Sequence, residues 1–148
     1  MAEEVGHQMP VKIHLKTTIT QDRENEKYEL MLLGEYYQKG DAAFLKYNEE
    51  LEEGTVHTIV KMSEESAVIL RSGALKMRLG FHKDVEKNGS YESPYGTFLL
   101  STKTKKIEHK NIGNNEGQFL LTYDLMMQGA SSGKYEMLIT YKERHKNS

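Results

Sequence analysis

An all-β fold, an antiparallel meander β-barrel of about 8–10 strands, is what this sequence predicts. Three observations carry the expectation. Alternation of apolar and polar residues with period two dominates the chain, short turn-forming stretches separate the alternating rows, and both prolines lie outside those rows.

The rows follow in order. Val11, Ile13, Leu15, Thr17 and Ile19 alternate with Lys12, His14, Lys16 and Thr18, the mark of a strand with one buried face. Tyr28, Leu30, Leu32, Gly34 and Tyr36 form a second row. The next segment, "DAAFLKYNEELEEG", reads two ways. Asp41 as N-cap, Phe44, Tyr47 and Leu51 at helical spacing and Gly54 past the end describe a helix. Ala43, Leu45 and Tyr47 on one face describe a strand that ends in a charged turn. Val56, Thr58, Val60 and Met62 then alternate with His57 and Lys61. Leu75, Met77, Leu79 and Phe81 alternate with Lys76, Arg78 and His82. "YGTFLLSTKT", the row Phe119, Leu121, Tyr123 and Leu125, and the row Tyr135, Met137, Ile139 and Tyr141 complete the set.

Between the rows lie "QDREN", "KGD", "EEG", "SEES", "RSGA", "KNGS", "GNNEG" and "GASSG", stretches rich in turn residues. Connections this short join antiparallel neighbours. Closing such a meander on itself removes its exposed edges. No repeat, low-complexity tract or linker interrupts the chain. A single domain over residues 1–148 is expected, with the barrel at about 10–142 between short tails.

Composition narrows the function classes. The formal net charge of −2 lacks the basic excess of a duplex-binding protein. The absence of cysteine removes disulfides, thiolate metal sites and a cysteine nucleophile. "MAEEVGHQMP" is not a secretory signal and no apolar run is long enough to span a membrane. A cytoplasmic location is therefore expected, with neither nucleic acid nor membrane as partner. "NGS" at Asn88–Ser90 has the form of a glycosylation acceptor but reads as a turn in that setting.

The landmarks "LGEYYQ", "TIVKMSEESAVILRSGALKMRLGF", "YESPYGTFLLSTKT", "LTYDLMM" and "LITYKE" resemble those of the YwiB-like family, in the same order from about Val11 to Lys142. The resemblance implies an uncharacterised bacterial protein with a calycin-like, or lipocalin-like, barrel. It tips "DAAFLKYNEELEEG" towards a strand. It brings no catalytic residue.

Candidate chemistry centres on "LRSGALKMRLGFHK", which carries Arg71, Lys76, Arg78, His82 and Lys83 and no acid. If Leu75, Met77, Leu79 and Phe81 face inwards, Lys76 and Arg78 face water, because charges are rarely buried unpaired. Arg71 has the better claim to a site, since a guanidinium at a strand end can hold an oxyanion by two hydrogen bonds. Tyr95, in the turn "SPYG", and Tyr123 are further candidate ligand contacts. Asp124 is a polar residue in an otherwise apolar strand that could face a cavity.

Other patterns read as structural. The lysines of "TKTKKIEHK" lack interleaved aromatics and suit a strand edge that deters aggregation. "GASSG" matches a nucleophile elbow in letters but sits between strands, so it reads as a hairpin loop. Glu49–Glu50, Glu52–Glu53 and Glu64–Glu65 fall in expected turns, where solvation explains them. None of the six histidines has metal-ligand spacing, so neither metal nor cofactor is expected. Two functions compete. One is burial of a small anionic or amphipathic molecule in the barrel, with Arg71, and with Lys76 or Arg78, at its head group. The other is a solid barrel that meets a protein partner, or another copy in a homo-oligomer, through the basic Lys76–Arg78 face. No motif supports an enzyme.

Overall fold

The computed structural model describes residues 8–144; the expected tails, His7 and His145 fall outside that range. Ten strands follow one another: β1 (Met9–Gln21), β2 (Glu24–Lys39), β3 (Ala42–Leu51), β4 (Gly54–Met62), β5 (Ser66–Gly73), β6 (Lys76–His82), β7 (Glu86–Ser93), β8 (Gly96–Gly113), β9 (Glu116–Met127) and β10 (Ala130–Glu143). Each pairs antiparallel with the next, and β1 pairs with β10 from Val11↔Glu143 to Thr20↔Lys134, closing the barrel. The segment with two readings is strand β3.

Alternation places the apolar rows inside and the charged rows outside. Ile13, Leu45, Val60, Phe81, Leu121 and Ile139 meet at mid-height with almost no exposure. The five hairpin turns after β1, β3, β5, β7 and β9 share one end of the barrel, called the upper end below. The lower end is filled by aromatic rings. Tyr36 stacks on Tyr141 at 4.5 Å, and Phe119 lies edge-on between Tyr141 and His109. Tyr141 Oη and His109 Nε2 share a hydrogen bond of 2.7 Å. Burial depresses the His109 pKa below its ordinary value, so the ring sits there uncharged.

Some sequence readings need correction. "KNGS" is no turn. Asn88–Ser90 lies within β7, and the connection before it is Lys83–Val85. The lysine-rich stretch does lie on an edge: β8 pairs with β7 only as far as Lys103, and from Lys106 to Gly113 it pairs with β9 alone. A bulge between Thr104 and Lys106 re-aims its side chains. Its charges are met locally, Lys106 and Lys110 by Glu108 at 3.1 and 3.2 Å.

The wall is incomplete at the seam between β2 and β3. β2 is 16 residues long and β3 is 10. Their ladder runs from Lys39↔Ala42 to Gly34↔Tyr47 and stops, while β2 continues to Glu24 paired with β1 alone. Tyr28 and Leu30, expected in a buried row, are consequently 52% and 41% exposed. Gly34 stands at the point where the strands part. A Cβ there would lie 2.3 Å from the Lys46 carbonyl oxygen and 2.7 Å from Ile13 Cδ1. Backbone cannot yield as a flexible side chain does. Gly34→Ala should therefore destabilise the barrel by about 1–3 kcal/mol, read as a lower urea midpoint. An unchanged midpoint would mean that the strands do not approach this closely.

Candidate functional site

The barrel interior holds a cavity of about 320 Å³ towards its upper end. Leu15, Leu30, Ile69, Met77, Leu125 and Met137 give it an apolar wall. Its polar corner comes from adjacent strands of one side. Tyr47 and Glu49 extend the inward row of β3, Thr58 that of β4 and Arg71 that of β5. Tyr123 of β9 and Tyr135 of β10 face them, stacked at 5.2 Å.

Arg71 Nη2 donates to Glu49 Oε1 at 2.9 Å, with the two side chains 23% and 15% exposed. This partner is the residue that sequence reasoning missed. Glu49 was expected in a solvated turn, but β3 runs on to Leu51, so the alternation Leu45, Tyr47, Glu49 continues inwards. That continued alternation was the available signal. Thr58 is buried and stands directly opposite Tyr47 of β3. Burial first, and the Glu49 carboxylate second, push the Tyr47 phenol well above its ordinary value, with Arg71 pulling the other way. Burial, reinforced by Tyr135, does the same to Tyr123.

The structure brings Arg71 and Tyr123 together around this space and leaves the other three candidates outside it. Lys76 and Arg78 lie on the outer face of β6, where Lys76 stands opposite Glu92 and Arg78 opposite Ser90. Their strand parity opposes that of Met77, so they cannot reach the cavity. Tyr95 is 93% exposed at the tip of the β7–β8 turn, which is fixed by the Ser93 hydroxyl accepting from the Tyr95 backbone N–H at 3.1 Å. Asp124 also faces out, 3.9 Å from Lys105. Among the described residues no group of three or more His, Asp or Glu side chains could hold a metal, and no helix is long and apolar enough to cross a membrane.

Comparison with known proteins follows from this geometry. Residues 13–139 match the model of a domain of unknown function, DUF1934. The chain is 33% identical over 133 residues to the uncharacterized beta-barrel protein YwiB of Bacillus subtilis (strain 168), covering 90% of this chain and 93% of that protein. The crystal structure of the ywiB protein from Bacillus subtilis superposes with a TM-score of 0.84 at 31% identity, over 95% of this chain and 96% of that one.

Two outcomes test the site. Glu49→Leu leaves Arg71 unpaired inside the barrel and should cost on the order of 3 kcal/mol, and Arg71→Met should cost a similar amount. The double variant should cost clearly less than the sum of the two in denaturant unfolding, and strict additivity would show that the pair does not interact. Tyrosine ionisation gives the second outcome. The folded-state pKa values of Tyr47 and Tyr123 lie above the ordinary 10.0, so the unfolded chain releases these protons first. Their contribution is complete below pH 10 and is lost as pH rises beyond it. An ultraviolet titration should show part of the tyrosine signal withheld until the protein unfolds. A single transition near pH 10 in folded protein would contradict the burial.

Proposed function

The chain belongs to the DUF1934 family of β-barrel proteins, and we propose that its barrel binds a small amphipathic molecule in the upper cavity, with an anionic or acceptor-rich head at Arg71. One observation carries the reading. Arg71 has five N–H donors and, among the described residues, a single protein acceptor, Glu49, while it sits at the edge of a largely apolar space. A ligand head with oxygen acceptors would take the remaining donors. Its apolar body would lie against Leu15, Ile69, Met77, Leu125 and Met137.

The volume lies at the small end of ligand pockets and suits a compact molecule. Because Glu49 neutralises Arg71, selectivity rests on directed hydrogen bonds rather than on a positive field. The apolar-in, charged-out alternation is the reverse of a lipid-facing barrel. No residue here is assigned a catalytic role. The outer Lys76–Arg78 face is weakened as a docking patch by Glu92 opposite Lys76.

The test uses the amphipathic anion 1-anilinonaphthalene-8-sulfonate as probe, read by fluorescence. The wild type should bind it saturably. Met137→Trp, which fills the cavity, should abolish binding, and Arg71→Met should weaken it by about tenfold. Absence of binding by the wild type, or binding indifferent to Met137→Trp, would defeat the proposal.

A further inference from the structure

The free half of β2 is the most apolar part of the surface. Tyr28, Leu30, Met31 and Leu33 are 52%, 41%, 69% and 56% exposed within six residues of one strand. The same stretch, Glu24–Leu33, pairs with β1 on one side and with no strand on the other. A long free edge that is also apolar is a template for another strand. An outer groove of about 620 Å³, beside Leu33, Lys46, Asn48 and His57, leaves room along it.

We infer that this edge is a self-association site, where β2 pairs antiparallel with β2 of a second copy about a two-fold axis. The argument is one of register. A two-fold axis perpendicular to the sheet keeps each residue on its own face, so opposed residues must share parity. Two registers use nearly all of the free segment. One centres on Glu29 and sets that carboxylate against its own copy. The other centres on Tyr28 and sets Lys27 opposite Glu29 of the partner, twice by symmetry. Like charges directly opposite destabilise a pair and opposite charges favour it.

The Tyr28 register is therefore the one the sequence allows. Among the described residues of the protomer Lys27 has no ion pair, and it stands opposite Thr18 of β1. Glu29 stands opposite Lys16 and hydrogen-bonds to His14 on the β1 side, which leaves its other flank for the partner. The register also sets Met31 against Asn25 of the second copy and Tyr28 against Tyr28, covering the exposed Tyr28 and Met31 side chains. One short ladder buries less than a standard interface, so association is of the weak, concentration-dependent class.

Sedimentation and light scattering from about 1 μM to 1 mM should show a monomer–dimer equilibrium. Lys27→Glu should weaken the dimer by at least about tenfold, and so should Glu29→Lys. Combining the two exchanges the charges and should restore it. The chain has no cysteine of its own. Oxidised Tyr28→Cys should therefore give a covalent dimer, whereas Asn25→Cys, opposed by Met31, should not. A monomer throughout the range would overturn the inference. So would a dimer indifferent to both charge reversals, which must use another face, or equal cross-linking at positions 25 and 28.

Discussion

The ladder between β2 and β3 stops at Gly34↔Tyr47, and the uneven character of the barrel follows from that stop. Below it β2 and β3 are joined, and rings from four strands fill the lower end. Above it β2 leans on β1 alone. The wall is then short of one ladder, and the side chains that would have packed against it border open space instead. Gly34 enforces the geometry because the Lys46 carbonyl and the Ile13 methyl occupy the place of a side chain. The lower half is a packed core and the upper half borders the cavity.

The polar groups are distributed to match. An ion pair inside a β-barrel is a poor device for stability, since desolvation offsets most of what pairing returns. Glu49, Thr58 and Arg71 nevertheless sit on three consecutive strands at one height, facing the Tyr123–Tyr135 stack. At the opposite end the His109 imidazole is satisfied by Tyr141 and enclosed by rings. The lower end therefore contributes stability, while the upper end places unsatisfied donors beside an apolar wall. That contrast within one barrel is the physical basis for assigning recognition to the upper end.

The strands were legible because period-two alternation needs only local sequence, and the short turns dictated antiparallel neighbours. The outward Lys76 and Arg78 followed from the same parity, whereas Arg71 was singled out by its place at a strand end and not by the inward row of Ala67 and Ile69 that it continues. Glu49 was lost because its neighbours Glu50, Glu52 and Glu53 made it look like part of a solvated run, although it continues the row of Leu45 and Tyr47. Asn88–Ser90 misled for the converse reason. Its turn-like composition serves a close approach, in which a Cβ on Gly89 would lie 2.2 Å from the Arg78 carbonyl oxygen. The unequal β2 and β3 could not be seen at all. A strand's length shows in its own alternation, but how much of it finds a partner depends on the other strand.

Leu30 joins the two halves of the functional argument. It lines the cavity and belongs to the exposed run of β2. A second copy paired along β2 would set its Glu26 opposite Leu30, at the border of the space where a ligand body would lie. Binding in the cavity and pairing at the edge then act on one side chain, and any coupling between them must be reciprocal. A ligand that holds Leu30 inwards withdraws apolar surface from the edge and favours the monomer. One that reaches out past Leu30 adds surface to the edge and favours the dimer. The sign of the coupling is thus set by how far the ligand extends towards the seam, a consequence of the ladder that ends at Gly34.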